Sequence, residues 1–321
     1  MAMRGGMVVV VVAVLSALLL LHAAEAQTLT VGYYSQRCPK AETIIFQEIQ
    51  KVYINDKSIA AALLRLHFHD CFVNGCDASV LLDSSSNQAE KNAGPNGSLR
   101  GYGLIDTIKA KLEAACKQTV SCADILAYAA RDSVKLASGG YNYNVPGGRP
   151  DGTVSSLQMA VNNLPAHNQR NITTLHAKYF KPKSLSLDDL IVLSGAHTIG
   201  VTKCGTFDYR LNNDLDKSMD ATFRNQLRGK CNHIATNVVP LDDRTPSGFD
   251  TSYYANVLAN RTVLESDAAL NSLSAIVRNR VTQLKDRNTF LTSFGVSMGN
   301  MGKLRTSNPG KVRDNCRRVR L

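Results

Sequence analysis

The chain has 321 residues, of which 44% are hydrophobic and 6% aromatic; it has no tryptophan and a net charge of +11. That is enough to bury a real core, and neither length nor composition suggests a repeat array. The basic balance first raises a nucleic-acid partner, but the charges are dispersed apart from a short tail at 313–320 and no nucleic-acid motif accompanies them. No nucleic-acid partner is expected; the charge suits an acidic extracellular polysaccharide or equally a solvated surface without a partner.

At the N-terminus one base, Arg4, precedes the apolar run Met7 to Leu21 and the small-residue triplet Ala24-Glu25-Ala26. This is the order of a secretory signal and its cleavage site, so residues 1–26 read as a signal peptide and Gln27 as the first mature residue. The run counts fifteen residues, short of the about 20 that span a bilayer, so no membrane association is expected. All eight cysteines lie beyond it, which fits an oxidising compartment and up to four disulfides, whose pairing the spacing leaves open.

Apolar residues then recur at helical spacing over 41–54, 58–71, 105–116, 122–137, 186–194 and 289–301. Two of these segments open with Ser and an Asp three residues later, Ser121 with Asp124 and Ser186 with Asp189, the pattern of a capped start. Turn-rich loops lie between, at 139–152, 162–171 and 242–252. The expectation is an all-α globule with few short strands, undivided by any linker.

The most informative stretch is Leu63 to Ser79. Arg65 and His69 are four apart, so on a helix they share a face and can reach one small ligand. A base beside a fixed cation is what peroxide cleavage needs: the base moves a proton from the near oxygen to the far one, and the cation stabilises the hydroxide that leaves. Directly after them, Asp70, Val73, Gly75, Asp77 and Ser79 offer carboxylate, backbone and hydroxyl oxygens in one short loop, hard ligands suited to Ca²⁺. Cys71 and Cys76 flank that loop and could staple it.

The stretch 65–79 resembles the distal helix and calcium loop of the class III secretory plant peroxidases, and the resemblance extends over nearly the whole mature chain. It implies two helical lobes around a b-type haem, a distal one at about 27–170 plus the C-terminal tail and a proximal one at about 171–302, within a peroxidase domain at 27–321. It implies His69 as acid–base catalyst, Arg65 as transition-state stabiliser, Asn96 as the partner that holds the His69 imidazole, and Phe68 on the pocket wall. Glu90 joins the first calcium set. The segment Asp189 to Gly200 resembles the haem-ligand segment, making His197 the iron ligand with Asp267 on its other nitrogen, as such ligands require. Thr198, Asp242, Thr245, Gly248 and Asp250 are implied as a second calcium site. Ser98 and Lys203 are implied near the haem carboxylates, and Pro165 at the donor site. The implied disulfides are Cys38 to Cys116, Cys71 to Cys76, Cys122 to Cys316 and Cys204 to Cys231.

The function so implied is a secreted, monomeric enzyme, in the cell wall or vacuole, that reduces hydrogen peroxide while oxidising small phenolic donors. There are departures. The segment Glu90 to Arg100 is one residue shorter than in many relatives, and Asn96-Gly97-Ser98 doubles as a glycosylation sequon, like Asn171-Ile172-Thr173 and Asn260-Arg261-Thr262. Ser58, His167 and Lys203 replace an Arg, a Pro and a Gln, and Tyr143 replaces a Trp, of some relatives. Two other readings compete: a haem- or calcium-binding wall protein without activity, which would need neither Arg65 nor His69, and a metallohydrolase using His67, His69 and Asp70. Side chains two apart on a helix diverge, which counts against the latter.

Overall fold

The computed structural model describes residues 28–212, 217–271 and 274–320; the expected signal segment lies outside them. Ten helices of seven or more residues organise the described chain: α1 (Ala41–Asn55), α2 (Ile59–Asn74), α3 (Tyr102–Ala115), α4 (Cys122–Ala137), α5 (Leu157–Asn163), α6 (Leu187–Ser194), α7 (Ala221–Cys231), α8 (Ser252–Leu258), α9 (Ala275–Gln283) and α10 (Arg287–Met301). Strands are few and short. β1 (Thr30–Val31) pairs with β2 (Pro146–Gly147), and β3 (Val201–Lys203) with β4 (Val238–Pro240), both antiparallel.

The two central helices are recognisable from what they bury. Every residue of α4 from Cys122 to Val134 is buried, and α2 buries side chains all round, from Leu63 and Leu66 to His67 and Phe72. A helix with no solvent face must be enclosed by others. Accordingly α2 packs along α4, which also meets α1 and α3. Each fully buried Leu, Ile or Phe contributes about 1.5–3 kcal/mol. In the second half α6 packs on α10 and α8 on α9. One continuous apolar core draws on residues from Tyr34 to Cys316, while a smaller one gathers Cys204, Phe207, Leu211, Phe223, Leu227 and Val263.

Both expected caps form, with a difference. At Ser186 the box is reciprocal: its hydroxyl accepts from the Asp189 amide, and the Asp189 carboxylate accepts from the Ser186 amide. At Ser121 only the hydroxyl half is present. The Asp124 carboxylate is fully buried and is spent instead on the Tyr34 hydroxyl (2.6 Å), the Gly148 amide (2.6 Å) and the Arg149 guanidinium (2.8 Å). A capping motif has thus become the anchor of a distant loop. The four disulfides pair as the resemblance implied. Among the described residues no helix is long and apolar enough to cross a membrane.

Candidate active site

α2 presents Arg65 and His69 on one face, and the loop after residue 89 closes over them. His69 Nδ1 lies 2.6 Å from Asn96 Oδ1, while Asn96 Nδ2 donates to the Glu90 carbonyl at 2.7 Å. A carbonyl can only accept, so the amide's orientation is determined and its oxygen must face the ring. His69 Nδ1 therefore carries the proton, and Nε2 keeps a free lone pair. Burial, then the nearby Arg65 charge, push the His69 pKa down to about 3 against the opposing pull of Asn96. The ring stays a neutral base over most of the acidic range. Arg65 donates to Ser98 Oγ (3.1 Å) and the Pro95 carbonyl (2.8 Å), so the same short loop positions both groups. Burial draws its guanidinium pKa down from the ordinary range, yet an arginine remains charged.

The segment 90–100 brings its asparagine inside. Residues 90–96 form two 3-10 turns that bury Asn96 to 2% exposure. The three sequons now separate. Asn96 has its amide engaged inside; Asn171 is exposed and caps a short helix through its oxygen; Asn260 is half-exposed and accepts from Asn271. Phe68 stands edge-on to His69 at 5.3 Å and packs on Phe72.

His197 sits in the 3-10 turn Gly195–Thr198 that ends α6. Its Nδ1 lies 2.8 Å from Asp267 Oδ1, which also accepts from the Tyr253 hydroxyl at 2.9 Å. Burial lowers the pKa of this imidazole, but the Asp267 carboxylate outweighs it and the net shift is upward. The ring remains 37% exposed, its Nε2 free for a ligand. The Arg65 charge acts on both rings, lowering the pKa of each.

Below His69, the carboxyl groups of Asp70, Asp77 and Glu90 are buried together. Burial first, and for Asp70 and Glu90 the neighbouring carboxylates next, push their pKa values up. Asp70 Oδ1, Ser79 Oγ and Glu90 Oε2 are buried with no hydrogen-bond partner. Unpaired oxygens around crowded carboxylates are the donor set of a hard cation. Val73 and Gly75, buried in the same segment, complete its backbone. Beside His197, the Thr198 hydroxyl stands 3.2 Å from Asp242 Oδ2, 3.4 Å from the Gly248 carbonyl and 3.3 Å from Asp250 Oδ1, and Thr245 Oγ1 is 3.4 Å from Asp242. One hydroxyl has one proton and cannot serve three acceptors, so this too is a convergent oxygen cage.

The remaining expected residues lie on separate loops and strands. Pro165 is half-buried in a loop tied to the Asp267 segment, since the His167 carbonyl accepts from the Ser266 amide at 3.0 Å. Lys203 is exposed on β3. Ser58 accepts at 2.5 Å from Arg100, so a guanidinium stands beside the position where the arginine is missing. Arg100 was not anticipated, and neither was Tyr253 as second partner of Asp267; no local pattern marks either. Tyr143 is buried, its hydroxyl without a hydrogen-bond partner.

The three residues of the metallohydrolase reading go separate ways. His67 lies against Cys71 Sγ (3.6 Å), His69 against Asn96, and Asp70 accepts from the Ala78 amide. The grouping of His67 with Cys71 and Cys76 offers no thiolate, because the two sulfurs are bonded to each other.

Comparison with known proteins adds an independent line. A family model described as peroxidase matches residues 45–286. The chain is 44% identical to Peroxidase 30 of Arabidopsis thaliana, covering 96% of this chain and 95% of the relative. It is 43% identical to Peroxidase 5 of Vitis vinifera (91% and 92% covered) and 43% identical to Peroxidase 2 of Oryza sativa subsp. japonica (92% and 94% covered).

Proposed function

The chain belongs to the class III plant peroxidases and is a peroxidase, and from that premise we propose that it is a secreted haem enzyme that reduces hydrogen peroxide and oxidises small phenolic donors. The single observation that carries this reading is the pair of histidines, each held through Nδ1 by a side-chain oxygen, His69 by Asn96 and His197 by Asp267. His197, half-buried and made electron-rich by the Asp267 carboxylate, would ligate the haem iron, and His69, with the neutral Asn96 amide as its partner, would face the opposite side as a base. Once bound, the haem iron supplies the electrons and the oxygen-binding site that no side chain here can offer.

The chain's own residues do the rest. His69 Nε2 accepts the peroxide proton and returns it to the departing oxygen, while Arg65 stabilises the charge on that oxygen. Asn96 holds the tautomer that makes this possible. Asp267 strengthens donation from His197. Phe68 shields the distal side from water. Two Ca²⁺ ions fit the oxygen sets: Asp70, Val73, Gly75, Asp77 and Ser79 with Glu90 behind them, and Thr198, Asp242, Thr245, Gly248 and Asp250. Ser98, Lys203 and Arg100 supply polar and cationic groups for the haem carboxylates, and the half-open Pro165 loop is where a phenol would dock. The enzyme acts as a monomer outside the cell or in the vacuole, with acidic wall polysaccharide as a partner for its positive charge. It engages neither nucleic acid nor membrane.

The visible spectrum of the purified protein, before and after peroxide, tests this. A high-spin ferric haem that changes on adding peroxide is expected. A spectrum in which the protein fills both axial positions would overturn the reading.

A further inference from the structure

After α10 the chain turns back and crosses the loop that follows α2. The two lie in backbone contact: Gly75 adopts φ +88°, and a Cβ there would stand 2.3 Å from the Arg305 carbonyl carbon. The Cys76 amide donates to the Leu304 carbonyl at 3.0 Å. We propose that this C-terminal strap, residues 304–309, is the outer wall of the distal calcium site, and that Thr306 is the residue that positions the ligand Asp77. The proposal rests on reading residues 70–79 as a calcium loop.

Hydrogen-bond polarity carries the argument. Thr306 Oγ1 accepts from Asn74 Nδ2 and from the Asn308 amide, each at 3.1 Å. Its lone pairs are thereby used, so its one proton points to Asp77 Oδ2, 2.5 Å away. The other oxygen of Asp77 accepts from the Ser79 amide at 2.9 Å. Both oxygens are oriented: Oδ2 also takes a long contact from Asn74 Nδ2 at 3.5 Å, and Oδ1 retains a lone pair for an ion. Asp70 and Glu90, by contrast, each leave an oxygen without any partner. Asp77 is therefore the carboxylate of the set whose direction is imposed from outside the loop, by a residue 229 positions away. The strap is itself tied down, since the Thr153 amide donates to the Asn308 carbonyl (3.1 Å) and the Gly310 amide to the Asp151 carbonyl (2.7 Å).

Loss of such an outer partner commonly costs about 10–100-fold in metal affinity. Thr306→Val keeps the shape and the methyl group and removes only the hydroxyl; Thr306→Ser keeps the hydroxyl. In the folded holoenzyme, calcium content and release are measured by titration with a fluorescent chelator, with the proximal ion as internal reference. The expected result is one of two sites weakened about 10–100-fold in Thr306→Val, released correspondingly faster, and restored in Thr306→Ser, with the other site unchanged. Asn74→Ala, which frees the hydroxyl to turn, weakens the same site less and serves if the valine variant fails to fold. Wild-type affinity at both sites in Thr306→Val, or equal weakening in the serine variant, overturns the proposal. Should the wild type hold no ion that Asp70→Asn removes, the calcium reading itself fails, and that outcome is distinct from failure of the strap.

Discussion

The two histidines differ less in position than in company. Each has its Nδ1 within 2.8 Å of a side-chain oxygen, but His69 faces the neutral amide of Asn96 and His197 the carboxylate of Asp267. The consequence is opposite pKa shifts, down for His69 and up for His197, although burial lowers both. One neutral partner and one charged partner thus suit the first ring to the proposed role of proton acceptor and the second to that of electron donor.

The largest break in this comparison is His69→Ala. Haem binding should survive, while reaction with peroxide, followed by stopped flow, slows by about 10²–10⁴-fold. Wild-type rates would show that the base lies elsewhere. Next comes Asp267→Asn, which gives the proximal ring a neutral partner like the distal one. Haem affinity should fall about 10–100-fold, with a more positive reduction potential from weakened donation. An unchanged potential would mean that the carboxylate only braces the ring.

The two ion cages extend the comparison, since one adjoins each histidine. An ion present at 100 times its Kd stabilises by about 2.7 kcal/mol, so verified removal of one ion should lower Tm by roughly 5–10 °C, restored by Ca²⁺. An unaltered melting curve would count against both cages. Asn96→Asp then makes the distal pair resemble the proximal one. In the wild type the depressed pKa keeps His69 in its base form until the pH falls to about 3. A carboxylate favours the imidazolium, so the acid limit of the peroxide reaction should rise by about 1–3 pH units, with a small loss at neutral pH. A stationary limit would show that the partner's charge does not govern this ring. The smallest effect expected is none: peptide mapping of secreted, active protein should find Asn96 free of sugar, with Asn171 and Asn260 available.

Much of this was open to reading along the chain. The helix expected at 122–137 forms with those bounds, because its start is marked by a local cap at Ser121. The helix expected at 58–71 runs on to Asn74, where Gly75 takes a positive φ that ends it. The spacing of Arg65 and His69 and the clustered oxygens of 70–79 were equally visible, since each is a matter of a few neighbouring residues. The partner of His69 was harder, because Asn96 also reads as a sequon, and only burial decides between a glycan and a hydrogen bond.

The chain by itself determined what repeats locally: helical periodicity, capped starts, Arg65 and His69 on one helical face and a loop rich in oxygen donors. Those features depend on backbone geometry over one or two turns and need no distant contact. The tertiary structure alone decided which side chains meet. Asn96 reaches His69 across 27 positions, Asp267 reaches His197 across 70, and Thr306 reaches Asp77 across 229. Contacts of that span have no period to betray them; they exist because the helices, once packed, leave buried polar groups that must find a partner wherever the returning chain supplies one.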